Sequence, residues 1–79
     1  MRSKIILKNS HVINPAEFVT YSAECDGDVL VEKGSLQVDG KSILGLTACL
    51  GNTASAVAIV EFTDNHKNSK FKEYITQYV

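Results

Sequence analysis

Tryptophan is absent from the 79-residue chain, methionine and proline occur once each, and there are only two cysteines. Two cysteines are too few for the multi-bridge framework of small secreted domains. With no CxxC and no Cys/His cluster, Cys25 and Cys49 give no zinc-binding spacing and read as buried free thiols. An excess of either charge is also missing: eight Lys and Arg stand against nine Asp and Glu, for a formal charge of −1. A chain so balanced has no global positive field to gather a phosphate backbone or anionic lipid, so neither nucleic acid nor a membrane surface is expected as a partner. No apolar run approaches the ~20 residues that span a bilayer, and the stretch Met1–Lys8 is too short in apolar residues for a signal peptide. A cytoplasmic location is the expectation. HExxH, GxSxG, a Cys/His pair and a close carboxylate dyad are all lacking, which argues against an enzyme, a metal or a cofactor.

What is present is the balance of a folding chain, 44% hydrophobic and 22% charged, at a length that suits one domain over residues 1–79. The apolar, β-branched run Ser3–Lys8 predicts a first strand. Asn14-Pro15-Ala16-Glu17 carries a helix start, with Asn as N-cap, Pro at the first helical position and Glu placed as in a capping box. Phe18, Tyr21, Ser22 and Cys25 follow at helical spacing, and Gly27 closes the segment. Asp28–Lys33 and Leu36–Val38 flank Gly34-Ser35 as a hairpin. Ser42 then caps a short helix carrying Ile43, Leu44 and Leu46–Leu50, with a stop at Gly51-Asn52.

Ala56–Thr63 reads as a central strand, and Asp64–Ser69 as polar connector with His66 toward solvent. Phe71, Tyr74, Ile75, Tyr78 and Val79 make the inner stripe of a closing amphipathic helix. The order β-α-β-β-α-β-α predicts an α+β fold with three helices on one face of a four-stranded antiparallel sheet. Pattern alone leaves strand order open, and a ferredoxin-type split β-α-β arrangement, serving small-ligand or nucleic-acid binding, has nearly the same string of elements.

Gly40-Lys41-Ser42 ends like a phosphate-binding P-loop, but that motif requires glycine where Ser35 stands, and the intervening residues read as strand. The same residues fit a different pattern. Val38-Asp39-Gly40-Lys41-Ser42-Ile43-Leu44-Gly45-Leu46 resembles the regulatory-serine segment of HPr, the phosphocarrier of the bacterial sugar phosphotransferase system. Asn9–Ala16 lies where that family carries its active-site loop, and the element order is similar to its open-faced β-sandwich over nearly the whole chain.

The resemblance implies a phosphoryl-accepting His followed by Ala-Arg-Pro-Ala. Anchored on Pro15-Ala16, this chain has Val12 for the histidine and Asn14 for the arginine. Phosphoryl relay needs an imidazole nitrogen as a reversible nucleophile and a cation beside the transferring group. Val12 supplies neither function, and Asn14 has a complete structural explanation as a cap. His11, one residue earlier, is the alternative acceptor of a displaced phosphocarrier.

Ser42 is the stronger candidate, because a phosphate at a helix N-terminus meets unpaired N–H groups and a favourable dipole. The resemblance implies modification there by a kinase/phosphorylase-like enzyme. It also implies a partner surface of Lys41, Ile43, Leu44 and Thr47, facing a transcription regulator or a phosphotransferase component. In the family branch that keeps the serine and lacks the histidine, the phosphorylated form acts as a corepressor. The arginine replaced by Asn14 also contributes to partner contacts in the family, which weakens the case for the same repressor. The expected function is a non-catalytic regulatory, protein-binding module.

Overall fold

The computed structural model describes residues 1–50 and 57–79. Strand β1 (Arg2–Leu7) leads through a 3-10 turn (Ser10–Val12) into helix α1 (Pro15–Ala23). Strands β2 (Val29–Lys33) and β3 (Leu36–Asp39) form a hairpin, followed by helix α2 (Ile43–Leu50). Strand β4 (Ala58–Thr63), a second 3-10 turn (His66–Asn68) and helix α3 (Ser69–Thr76) complete the chain. The expected stop at Gly51-Asn52 and the first residue of the run Ala56–Thr63 lie outside the described residues, and Val57, which is described, is exposed and precedes β4, so the strand starts later than expected.

The sheet order is β1-β4-β2-β3, and every neighbouring pair is antiparallel. A ferredoxin-type sheet places its first and third strands in the middle; here both are edges, and that alternative is overturned. Alternation decides which face is covered. Leu7, Val29, Val31, Ala58, Val60 and Phe62 are buried on one face, where Ile5 faces Val60 and Val60 faces Val31 across the strands. The helices pack on this face, and Arg2, Lys4, Ile6, Glu32, Ile59 and Glu61 occupy the other, less buried one.

Phenylalanines tie the layers. Phe71 of α3 meets Phe18 of α1 edge-on at 5.5 Å and Phe62 of β4 at 5.4 Å, and all three rings are buried. Each such pair contributes about 0.5–1.5 kcal/mol beyond the burial of its area. Two glycines permit the turns around β2. Gly34, at φ +64°, supplies the left-handed residue of the hairpin. Gly40 donates its N–H to the Val29 carbonyl at 2.6 Å, and a Cβ there would stand 2.9 Å from the Val29 Cβ and 3.0 Å from its carbonyl oxygen. The β3–α2 corner can therefore lie against β2 only without a side chain at position 40.

Several local expectations need correction. The segment 64–69 is more than a connector: it turns as a 3-10 helix and buries Asn68 at 2% exposure, although His66 is exposed as expected. Helix α3 ends at Thr76, so Val79 leaves the inner stripe and is exposed. Strand β1 runs from Arg2 to Leu7, and β3 extends to Asp39. Asn14 caps α1 through Oδ1, which accepts from Ala16 N–H at 2.9 Å and Glu17 N–H at 3.3 Å. Among the described residues the Glu17 side chain makes no reciprocal hydrogen bond to the Asn14 N–H, so only half of a capping box forms, and the buried Tyr74 hydroxyl has no hydrogen-bond partner. Burial first, then Tyr78 and Glu17, push that phenol far above its ordinary range.

Asp64 clamps the start of the chain to α3. Its Oδ2 accepts from Ser3 Oγ at 2.8 Å and from Lys72 Nζ at 3.0 Å, and its N–H donates to the Met1 carbonyl at 2.6 Å. The Ser3 hydroxyl, and after it Lys72, hold the Asp64 carboxyl below the usual aspartate value. A carboxyl lowered in the folded state stabilises the fold above the ordinary value near pH 4 and loses that contribution as pH falls through its own lowered value. The urea midpoint is accordingly expected to fall on acidification below about pH 4, and Asp64→Asn to flatten that acid limb. An unchanged slope in the variant would remove Asp64 from the acid response.

Candidate functional site

The two candidate segments sit at opposite ends of α1. Ahead of its N-terminus, Val12 and Ile13 donate their N–H groups to the Asn9 and Ser10 carbonyls at 3.3 and 3.1 Å, closing the 3-10 turn. Asn9 N–H reaches the Tyr78 carbonyl at 2.9 Å and anchors the loop to the C-terminal segment. Ser10 and Ile13 point inward while His11 and Val12 are exposed, Val12 at 60%. The loop thus presents one imidazole and one isopropyl group. Asn14 brings no charge to them, and its side-chain oxygen is taken by the first-turn amides of α1. Pro15 occupies the first helical position.

At the other end, Ser22 Oγ donates to the Gly40 carbonyl and fixes the corner that precedes α2. At ~1.5 Å per residue, the helical stretch from Asn14 to Ser22 separates the two segments by about 12 Å along the axis. The corner is held by its own polar groups. Asp39 Oδ1 accepts from Lys41 N–H at 2.9 Å, and the Asp39 carbonyl accepts from Ser42 N–H at 3.1 Å. Ser42 is the N-cap of α2: its Oγ accepts from Gly45 N–H at 3.3 Å, and its carbonyl from Leu46 N–H at 2.9 Å. Lys41 turns back, with Nζ donating to the Cys25 carbonyl at 2.9 Å.

The sequence revealed the cap but neither of its buttresses. Ser22 is a fully buried hydroxyl in a helix interior, a polar residue on an otherwise apolar stripe, and that is the signal that could have found it. Asp39 directly before Gly-Lys-Ser is the side chain that shapes the turn.

From this corner α2 shows two faces. Leu46, Cys49 and Leu50 are buried, whereas Ile43 and Leu44 are 45% and 82% exposed. Thr47 is exposed too, its hydroxyl donating to the Ile43 carbonyl at 2.7 Å. An exposed leucine and isoleucine on the first turn, next to the capping serine, give the corner an apolar shoulder. Burial pushes the Cys25 thiol up, partly offset by Lys41, and burial likewise raises Cys49, so neither is an activated nucleophile.

A groove of about 540 Å³ runs between α1 and α3, lined by residues such as Tyr21, Glu24, Lys70 and Glu73, and includes none of the candidate residues. Among the described residues no group of three or more His, Cys, Asp or Glu is placed to hold a metal, and no helix is long and apolar enough to cross a membrane.

No protein-family model matches the chain, and no curated protein matches it. Among solved structures, it is similar to a phosphocarrier protein HPr from Bacillus anthracis strain Ames. The TM-score is 0.64, and the match covers 100% of this chain and 95% of that one at 23% identity. The fold is the open-faced β-sandwich of HPr. Strand order decides this, since β-α-β-β-α-β-α alone also suits the ferredoxin type. Within the HPr-type fold, the exposed turn before α1 holds His11 and Val12, and Ser42 opens α2.

Proposed function

We propose that this chain is a non-catalytic, HPr-like regulatory module that binds protein partners through the first turn of α2 and is controlled by phosphorylation of Ser42. The observation that carries this reading is the adjacency of a switchable hydroxyl and an exposed apolar shoulder: Ser42 caps the helix whose next two residues, Ile43 and Leu44, are exposed. A phosphoryl group on Ser42 adds about −1.5 to −2 charge at the positive end of the α2 dipole, where first-turn amides accommodate an anion. Asp39 opposes that charge, and Lys41 in the same turn is the cation able to offset it. The change in charge beside an apolar contact is what a partner would read. Partners of this kind include a kinase/phosphorylase-like enzyme, a transcription regulator and a phosphotransferase component.

Carrier chemistry finds less support, because the side chain at the position matched to the acceptor is Val12 and no arginine accompanies it. Incubation with ATP and an HPr kinase/phosphorylase is expected to add one phosphoryl mass to the wild-type chain and none to Ser42→Ala. Label that persists in Ser42→Ala, or a wild-type chain that is never modified, would overturn the assignment. Incubation with phosphoenolpyruvate and the first enzyme of the phosphotransferase system is expected to leave the chain unlabelled; acid-labile phosphate on His11 would make it a displaced phosphocarrier instead.

A further inference from the structure

We infer that the open edge of the sheet along β1 is a docking site for an extended acidic segment of a partner protein, which adds to the sheet as a further antiparallel strand. The register of β1 on β4 decides which of its backbone groups are free. Asp64 N–H donates to the Met1 carbonyl at 2.6 Å, one step beyond the pair Arg2–Thr63, so the bonded members of the ladder are Ser3–Phe62, Ile5–Val60 and Leu7–Ala58. The N–H and C=O groups of Arg2, Lys4 and Ile6 therefore point off the edge. Among the described residues no other segment of backbone bonds to them.

The opposite edge is a poorer template. Gly40 N–H donates to the Val29 carbonyl, so by the same alternation β3 turns only Gln37 and Asp39 outward, and the Asp39 carbonyl is already taken by Ser42 N–H at 3.1 Å. Strand β1 offers a longer and unbroken row.

Charge selects the occupant. Arg2, Lys4 and Lys8 follow one another along this edge, and the carboxylate that Arg2 and Lys4 share is Glu61, which accepts from Arg2 Nε at 3.2 Å and lies 3.8 Å from Lys4 Nζ. Lys4 keeps 66% of its side chain exposed and Lys8 is exposed too, so the edge is net positive. A second copy is opposed by this charge: antiparallel pairing centred on Lys4 sets that lysine against its counterpart, and like charges directly opposite one another destabilise a strand pair. Lysine on an edge guards against such self-pairing. An acidic strand meets no such opposition. Lying antiparallel, it sets carboxylates opposite Lys4 and Arg2 and an apolar side chain opposite Ile6, which is 52% exposed.

Main-chain bonds supply the attraction in this arrangement, and the paired charges supply the selectivity. None of the residues at the Ser42 corner takes part, since that corner follows β3 on the far edge of the sheet. The inference stands whether or not that serine is modified.

Fluorescence anisotropy and amide hydrogen exchange test this with two labelled peptides, the acidic acetyl-TVTETET-amide and its basic counterpart acetyl-TVTKTKT-amide. The wild-type chain is expected to bind the acidic peptide at least about tenfold more tightly than the basic one, and more weakly at high salt. At saturation, exchange at the Lys4 and Ile6 amides is expected to slow by about fivefold or more, while Ser3, Ile5 and Leu7, already in the ladder, change little. Lys4→Glu is expected to reverse the preference between the peptides, which a chain that failed to fold could not do. Ile6→Pro removes an outward N–H and no charge; it is expected to weaken acidic binding by about tenfold while the Ile5 and Leu7 amides stay protected. No binding of the acidic peptide up to millimolar concentration, equal binding of both, or slowed exchange without the alternation overturns the inference. A wild-type chain that dimerises through this edge in sedimentation velocity, without peptide, overturns it as well.

Discussion

Replacing Asn68 with alanine is expected to destabilise the fold by about 3–5 kcal/mol. Asn68 Nδ2 donates to the Asp26 carbonyl at 2.9 Å and the Thr63 carbonyl at 2.8 Å, while Oδ1 accepts from the Asp26 N–H at 2.8 Å. One amide thus joins the exit of α1, the end of β4 and the entry to α3. At 2% exposure, water has little room to replace it, and alanine would leave three backbone groups unsatisfied at about 1–3 kcal/mol each.

Asn68→Asp, although isosteric, is expected to be no better, because a carboxylate oxygen would face two carbonyls in place of an N–H donor. With total stability in the range of about 5–15 kcal/mol, either variant stands close to unfolding. Urea denaturation gives the measure. His66→Ala, in the exposed part of the same turn, is expected to stay within about 0.5 kcal/mol of wild type. An Asn68→Ala midpoint as close to wild type as that would mean the three bonds do not hold the junction.

Asn68 also shows where reading the sequence stops. Its position among His66, Lys67 and Ser69 is polar in every direction, and the residues it joins are separated by up to 42 positions, so no local period marks it. The elements that were legible are those whose signal is local. The Asn14 cap with Pro15 starts α1, the runs flanking Gly34-Ser35 form the β2–β3 hairpin, the run ending at Thr63 forms the central strand β4, and Ser42 caps α2. Alternation with period two states which face of a strand is buried and is silent about its neighbour, so the choice between HPr-type and ferredoxin-type sheets waited for the pairing of β4 with both β1 and β2. The 3-10 turns escaped notice for a related reason: three residues held by i→i+3 bonds are too short to show a repeat.

At the Ser42 corner, the cap was visible because its residue type and position suffice, whereas Ser22 reaches it from 18 residues away. Lys41 was expected at the partner surface, but its side chain is only part-exposed and tied to the Cys25 carbonyl. The exposure of Ile43 and Leu44 follows from a short helix that turns Leu46, Cys49 and Leu50 inward and, among the described residues, has no further layer above it.

That exposure leads to the largest functional effect expected. Leu44→Ala should slow kinase/phosphorylase labelling of Ser42 by about tenfold or more and leave folding stability within about 0.5 kcal/mol, since Leu44 is 82% exposed and supports nothing beneath it. Leu44→Asp separates the two roles further. A carboxylate on the first turn of α2 interacts favourably with the helix dipole, by about 0.3–1 kcal/mol, so stability should hold or rise while labelling falls below that of the alanine variant. A residue needed for packing would lose both together, and one with no role would lose neither. Initial rates of phosphoryl incorporation, set beside urea midpoints for the same preparations, distinguish these cases. If Leu44→Asp is labelled at the wild-type rate, the apolar shoulder is not where the modifying enzyme docks, and the pairing of switch and contact surface on α2 is lost.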